Sequence, residues 1–352
     1  MSSLIELGWS DHFAAQCGAD DGHVRARVVE ELRGTLRVAG EYSGLADVAG
    51  RVRRDAQSSA DLPTVGDWVL ISPPAGDGRG SIRRLLTRST ALMRRASGTV
   101  TTAQVVAANI DTVFIVEALS EDVNANRIER YLTMVWESGA SAVVVLNKAD
   151  VCASPESSID ELHARMPGVD IVAVSAFGEL TALDPHLSPG RTVAFVGPSG
   201  VGKSSLINAL LGESVQRTGA VRAADGKGRH TTTTRQLRVL DRGAIVIDTP
   251  GTRELQPWVD TAALERTFDD IAALASRCRF TDCAHQHEPG CAVRAAIASG
   301  ELSEARLEHH DRLARELAYE SRKRDVHASL EEKRRWKNIH RAQKARRRFE
   351  EG

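Results

Sequence analysis

The chain has 352 residues, 42% of them hydrophobic, 26% charged and 4% aromatic, which argues against wholesale disorder and predicts two or three globular domains. Its longest apolar runs, residues 142–146 and 244–247, fall far short of the roughly 18 needed to span a bilayer, and no basic segment followed by an apolar stretch opens the chain, so no membrane contact and a cytoplasmic location are expected. Twelve Lys and Arg against five Asp and Glu in residues 321–352 leave that end at +7 and the remainder at −8, so the net charge of −1 conceals a basic end suited to a polyanion.

Residues 1–35 carry no clear pattern. Between residues 36 and 92 short alternating segments are separated by turn signals, as at 61–67 and 73–80 around the apolar stretch 68–71. Helical periodicity is hard to find there, and strands at this spacing predict a small barrel or sandwich. Arg83, Arg84, Arg88, Arg94 and Arg95 follow, as either a solvated strand face or a nucleic-acid surface.

From Asn109 onward the pattern becomes strands alternating with helices. Residues 113–116, 142–146, 171–174, 193–196 and 244–247 are short apolar runs of the kind buried on both faces. Ile128, Tyr131, Leu132, Val135 and Trp136 fall on one face of a helix that Gly139 can end. This alternation calls for a parallel sheet with helices on both sides. The last eighty or so residues read as helical and increasingly basic.

Gly197, Pro198, Ser199, Gly200, Val201, Gly202, Lys203 and Ser204 fit the phosphate-loop pattern G-x-x-x-x-G-K-[ST], set between a strand and a helix that begins with Ser205. Glycines let backbone N–H groups turn inward around phosphate oxygens. Lys203 supplies a point charge to the β and γ phosphates, and Ser204 offers a hydroxyl to Mg²⁺. After the strand 244–247 comes Asp248-Thr-Pro-Gly251, where Asp248 can hold Mg²⁺ through water and the Gly251 N–H can touch the γ phosphate. Asn147, Lys148, Ala149 and Asp150 follow another strand and suit guanine: the Asp150 carboxylate accepts from N1–H and the exocyclic amine, while Asn147 can donate to the purine. Adenine would leave that carboxylate unpaired, at a cost of roughly 1–3 kcal/mol or more. Ser175 and Ala176, with Phe177, read as the loop that backs the base.

The order is unusual, since the base reader precedes the phosphate loop. Circular permutation explains it: the same sheet is built with its ends moved to another loop. A Thr-rich stretch, Thr231 to Thr234, then forms a switch that can place a Thr hydroxyl, assigned here to Thr232, on Mg²⁺. Cys278, Cys283 and Cys291 with His285 or His287 offer three thiols and an imidazole, a closed tetrahedral structural zinc set.

These residues resemble the RsgA (YjeQ) family of ribosome-associated GTPases. The resemblance rests on the motif order, the Gly-Arg-His-Thr-Thr-Thr switch, Asp-Thr-Pro-Gly-x-Arg-Glu and the downstream cysteines, and it spans roughly residues 36–300. It implies an OB-like β-barrel with an N-terminal extension (1–100), a circularly permuted P-loop GTPase domain (101–268) and a helical zinc-binding domain with a basic tail (269–352). It also implies GTP hydrolysis to GDP and phosphate, Mg²⁺ with the nucleotide, and one structural zinc ion per chain. The expected partner of this monomer is the small (30S) ribosomal subunit with its 16S rRNA, during late assembly, with hydrolysis coupled to release. The family spacing selects His285 over His287. Thr252 stands where many GTPases carry a water-orienting Gln, and His230 is similar to the histidine given that task in the family. The basic tail, with Trp336 among its arginines, reads as an RNA contact or a solvated helix face. Two rival functions are an RNA-binding checkpoint in which GTP occupancy is the signal, and a small-molecule kinase. The guanine reader argues against the kinase.

Overall fold

The computed structural model describes residues 3–18, 22–74, 76, 78–95, 103–119, 123–152, 155–212, 235–248 and 261–318. The chain divides into two units, residues 1–94 with 103–258, and residues 95–102 with 259–352.

The first unit opens with a short helix, α1 (Asp11–Ala14), followed by strands β1 (Val24–Leu32), β2 (Thr35–Gly40), β3 (Gly44–Val48), β4 (Trp68–Ser72) and β5 (Gly80–Leu85). Arg33 and Gly34 make the two-residue β1–β2 turn, and Gly34 takes the φ of +82° that such a hairpin asks for. β3 lies parallel to β5, β5 antiparallel to β4, and β4 pairs back onto β1, which closes a five-stranded barrel in the order 1-2-3-5-4. Closure removes free edges. Ala26, Val28, Leu36, Val38, Ala46, Val69, Ile71 and Ile82 point inward and fill the interior. A one-turn-and-a-half helix, α2 (Gly50–Asp55), interrupts the region expected to hold strands alone. None of its residues is buried, so no apolar face marks it in the sequence.

After a two-stranded sheet of β6 (Ala91–Arg95) and β7 (Ala103–Ala108), the chain enters the α/β body. Its elements are β8 (Thr112–Ala118), α3 (Ala125–Glu137), β9 (Ser141–Asn147), α4 (Pro155–Arg165), β10 (Asp170–Ala173), β11 (Thr192–Val196), α5 (Lys203–Leu210), β12 (Gln236–Val239) and β13 (Ile245–Asp248). The strands lie in the order β10-β9-β8-β11-β13-β12, all parallel except β12. Each apolar run read from the sequence is one of these strands. The α3 face places Ile128, Tyr131, Leu132 and Val135 in the core, each aliphatic side chain contributing roughly 1.5–3 kcal/mol on burial. Gly139, at φ +83°, follows the helix end.

β12 pairs on its outer side with barrel strand β1, so barrel and α/β body share one eleven-stranded sheet. The sequence shows no sign of that join.

The second unit contains α6 (Thr261–Thr267), α7 (Asp269–Ala275), α8 (Ala292–Ser299) and helical residues 304–318. No helix among the described residues is long and apolar enough to cross a membrane.

Candidate nucleotide site and metal centre

In an open α/β sheet, ligands bind outside the carboxyl ends of the parallel strands. The loop of residues 197–202 joins the end of β11 to the start of α5 and directs the α5 N-terminus at that crevice. Two of its glycines are required sterically. A Cβ on Gly197 would stand 2.1 Å from the Val116 carbonyl oxygen, and one on Gly202 would stand 2.2 Å from Asn147 Nδ2. Both have positive φ, +137° and +96°. Lys203 Nζ donates to the carbonyl oxygens of Gly197 (2.8 Å) and Pro198 (2.6 Å), which folds the ammonium over its own loop where phosphate oxygens can exchange for them.

The base-reading residues end β9, beside β8 and β10. Asn147 is 2% exposed. Its Nδ2 donates to the Val201 carbonyl at 2.8 Å, and its Oδ1 accepts from the Ala176 N–H at 3.1 Å. One buried amide thus ties the base reader, its companion loop and the phosphate loop together, across 54 positions of chain in one direction and 29 in the other. The Val201 bond takes one of the two N–H groups of that amide, so Asn147 is a scaffold as well as the donor to the purine expected from the sequence. Lys148 takes a left-handed conformation (φ +67°), and the Ala149 N–H donates to Val174 O at 3.0 Å, which seats the turn against the end of β10. Ser175 Oγ donates to Asp150 Oδ1 at 2.7 Å and accepts from the Phe177 N–H at 3.2 Å. The Asp150 carboxylate is therefore oriented by Ser175, and both its oxygens keep lone pairs for a ligand.

Gly202→Ala is expected to weaken GTP binding by roughly 5–30-fold, because displacing the Asn147 amide strains the tie between the two halves at about 1–2 kcal/mol. Titration with a fluorescent GTP analogue measures it, and an unchanged affinity would refute the coupling.

Asp248 ends β13. Burial pushes its carboxyl up from the ordinary range, while Arg238 and Lys203 pull it back, so Asp248 and Lys203 lie within electrostatic reach of each other. Ser199, Gly200, Val201, Ser204 and Ser205 follow the loop and the first turn of α5 as read from the sequence. His230, Thr232, Gly251 and Thr252 lie outside the described residues, as does the basic tail 321–352.

In the second unit the ligand atoms of Cys278, Cys283, His285 and Cys291 all lie within 4.8 Å of one another. Sγ of Cys278 is 3.9 Å from Sγ of Cys291, and His285 Nδ1 is 3.7 Å and 3.5 Å from those two sulfurs. A tetrahedron with metal–sulfur bonds of ~2.3 Å and metal–nitrogen bonds of ~2.0 Å has edges of ~3.5–3.8 Å. A disulfide would bring the sulfurs to ~2.05 Å. The spacing therefore fits four ligands around a metal ion, with His287 outside the group.

Two organisers of this centre escaped the sequence reading. The Glu288 carboxylate accepts from the N–H groups of Ala284 (2.8 Å), Gln286 (2.8 Å) and His287 (3.0 Å), and its own backbone N–H, then these bonds, hold its pKa down at about 2. Arg294 Nε donates to the His285 carbonyl at 2.6 Å, fixing a residue in left-handed backbone (φ +58°). Glu288→Gln replaces one acceptor oxygen by a donor facing those amides and is expected to weaken metal affinity roughly tenfold, measured by competition with a chromogenic chelator.

The arginine cluster of the barrel disperses into several roles. Arg88 makes a two-pronged pair with the buried Asp67 (2.7 Å twice) and also donates to the carbonyls of Ala60 and Leu62. Arg94 holds Gln104, Arg84 holds the Gln16 carbonyl, and Arg83 holds Ser72. Arg88 thus has a structural role that neither reading of the cluster foresaw.

The sequence profile of the RsgA GTPase family matches residues 85–258. A protein of Opitutus terrae named "Small ribosomal subunit biogenesis GTPase RsgA" is 45% identical over 365 residues, covering 99% of each chain. Among solved structures, YjeQ from Thermotoga maritima is 28% identical, with a TM-score of 0.63 over 84% of this chain and 99% of its own. YloQ, a circularly permuted GTPase, shares the fold at 24% identity and a TM-score of 0.59 over 86% and 97%. Likeness along nearly the whole length, in a sheet whose Asn147-Lys-Ala-Asp150 turn precedes its phosphate-loop pattern, places the chain in the RsgA family as a circularly permuted GTPase.

Proposed function

We propose that this GTPase acts on the small ribosomal subunit late in its assembly, docking with GTP bound and departing after hydrolysis. The observation that carries the nucleotide half is the Asn147 amide joining base reader and phosphate loop. The partner follows from near full-length similarity to a protein named for small-subunit biogenesis. A cytoplasmic monomer whose barrel and basic tail contact 16S rRNA is consistent with both, and the three-part division 1–100, 101–268 and 269–352 is the proposed domain plan.

The reaction is attack of water on the γ phosphate. Asp150 reads the guanine edge with Ser175 holding its carboxylate, and Ala176, Lys148 and Ala149 frame the base. The backbone N–H groups from Gly200 to Ser205 hold the leaving diphosphate. Lys203 gives up its two carbonyl partners for β and γ oxygens and offsets the charge that develops on them. Ser204, Asp248 and Thr232 would hold a Mg²⁺ that neutralises charge on the same oxygens. Gly251 donates its N–H to the γ phosphate, and His230 orients the attacking water. Cys278, Cys283, His285 and Cys291 would hold one structural zinc ion, whose four protein ligands leave no open position for catalysis.

The deciding test is GTP turnover with and without purified small subunits, beside an ATP competition. A large stimulation with no ATP displacement is expected. Unchanged turnover on saturating subunits would overturn the proposed partner.

A further inference from the structure

Four polar residues stand side by side across four adjacent strands. Asp248 of β13 is the cross-strand partner of Gln236 of β12, Gln236 of Glu30 of β1, and Glu30 of Arg37 of β2. The row starts at the aspartate of the Asp-x-x-Gly motif and ends on the barrel surface, where Arg37 is 51% exposed. It is bonded through its middle. Gln236 Nε2 donates to Glu30 Oε1 at 2.6 Å, and Arg37 Nε donates to Glu30 Oε2 at 2.8 Å. A second tie lies one residue along: the Glu31 N–H donates to Arg235 O at 3.3 Å, and the Arg235 guanidinium meets the Glu31 carboxylate at 3.1 Å. Arg235 immediately follows the Thr-rich stretch that ends at Thr234. The strand after the threonines is thus fastened to the barrel at Glu30 and Glu31, and Asp248 stands one strand further in, as the cross-strand partner of Gln236.

We propose that this row is a relay in which an RNA phosphate bound by Arg37 tightens the Glu30–Gln236 bond and so fixes the strand between the Thr-rich switch and Asp248, raising GTP turnover. The electrostatics set the sign. Glu30 divides its charge between two donors, and the Arg37 bond is the larger influence holding its carboxyl below the ordinary range. A phosphate competes for the guanidinium by two-pronged hydrogen bonding and repels the carboxylate. As Arg37 turns outward, the full charge of Glu30 falls on the Gln236 amide, and a charge-assisted bond strengthens. Glu30, Arg37 and Gln236 are positioning residues: they act on the switch and not on the reacting atoms. The relay rests on the reading that an RNA-bearing partner stimulates hydrolysis.

The experiment compares wild type, Arg37→Met, Glu30→Gln and the double variant. It measures turnover alone, turnover at saturating small subunits, subunit affinity, and hydrogen exchange at the β12 amides, with melting temperature as the check on folding. Arg37→Met removes the competitor of Gln236 permanently. It is expected to raise turnover without subunits about fivefold, slow exchange in β12, and shrink the stimulation by the same factor. Adding Glu30→Gln brings the unstimulated rate back down, which makes the pair non-additive. Arg37→Lys keeps the charge but not the two-pronged grip, and is expected to keep the low unstimulated rate while losing part of the stimulation. If wild type is not stimulated by subunits, the proposed partner fails. If wild type is stimulated but Arg37→Met shows unaltered turnover and β12 exchange in both states, the relay fails while the partner stands.

Discussion

Asp150→Asn is expected to weaken GTP binding roughly 10²–10⁴-fold and to reverse the preference between guanine and xanthine nucleotides. The carboxylate offers an acceptor pair to guanine N1–H and the exocyclic amine, and each charge-assisted bond is worth about 1.5–3 kcal/mol, so losing both costs about 3–6 kcal/mol. Ser175 decides how the substituted amide sits. Its Oγ donates to Asp150 Oδ1 at 2.7 Å, so the amide oxygen takes that place and the NH₂ turns toward the base. There it faces the donors of guanine but matches the carbonyl that xanthine carries at the same position. Competition of GTP and XTP against a fluorescent guanine nucleotide measures both effects. A GTP affinity within threefold of wild type would show that Asp150 does not read the base. Ser175→Ala, which loses only the orienting bond, is expected to show a much smaller loss in the same assay.

The nucleotide and metal residues were legible because their chemistry demands particular residue types at fixed spacing. Gly197, Gly202, Lys203 and Ser204 stand at the fixed offsets of a phosphate-loop pattern, and Cys278, Cys283 and Cys291 lie within one short stretch. Three of the five strands that the sequence announced, β8, β9 and β11, are apolar over four residues or more, as sheets covered on both faces require, whereas β10, at the sheet's edge, is only half-buried.

What the sequence withheld was the joinery. β12 is only Gln-Leu-Arg-Val, half polar, and its pairing with a barrel strand some two hundred positions away leaves no local trace. Asn147 was legible as a functional residue but not as a scaffold, because the acceptor it donates to, Val201 O, is a backbone group that any residue could have supplied. Glu288 and Arg294 act on N–H and carbonyl groups in the same way. Residues 1–35, opaque as sequence, hold the most consequential case. β1 mixes Arg and Glu with valine and gives no sign of which charges face water, yet Arg27 is as buried as Val28 and more so than Val24 and Val29.

Arg27→Met is expected to destabilise the first unit by about 3–5 kcal/mol, the cost of taking a charged donor from several buried acceptors at once. The guanidinium, 1% exposed, donates through Nε to Gly66 O (3.0 Å), through one terminal nitrogen to Leu7 O (2.6 Å) and Thr192 Oγ1 (2.9 Å), and through the other to Asn109 O (2.9 Å). Those partners belong to the N-terminal segment, the loop before β4, the turn before β8 and the first residue of β11. One side chain therefore binds the N-terminal segment, the barrel and the α/β body. It also lies over the Trp68 ring, 5.7 Å from its centroid, while Trp9 and Phe13 pack on the same ring system at 4.7 and 5.8 Å. Burial lowers the guanidinium pKa to about 10, opposed by Asp111 and then Asp67, so it remains charged at neutral pH and the three carbonyls depend on it. Methionine matches the length of the aliphatic stem but takes the guanidinium donors from Leu7 O and Asn109 O, while Gly66 O keeps only the Asn109 Nδ2 donor at 3.0 Å. In a unit of this size each kcal/mol moves the melting temperature by roughly 2–4 °C, so a fall on the order of 10 °C is expected in thermal unfolding. Arg27→Lys, whose ammonium has three donors on one atom and cannot span the fork, is expected to fall between. A Met variant that melts within two degrees or so of wild type would mean that the N-terminal segment and the barrel are held to the α/β body by the β1–β12 pairing and apolar packing, with the guanidinium merely accommodated between them.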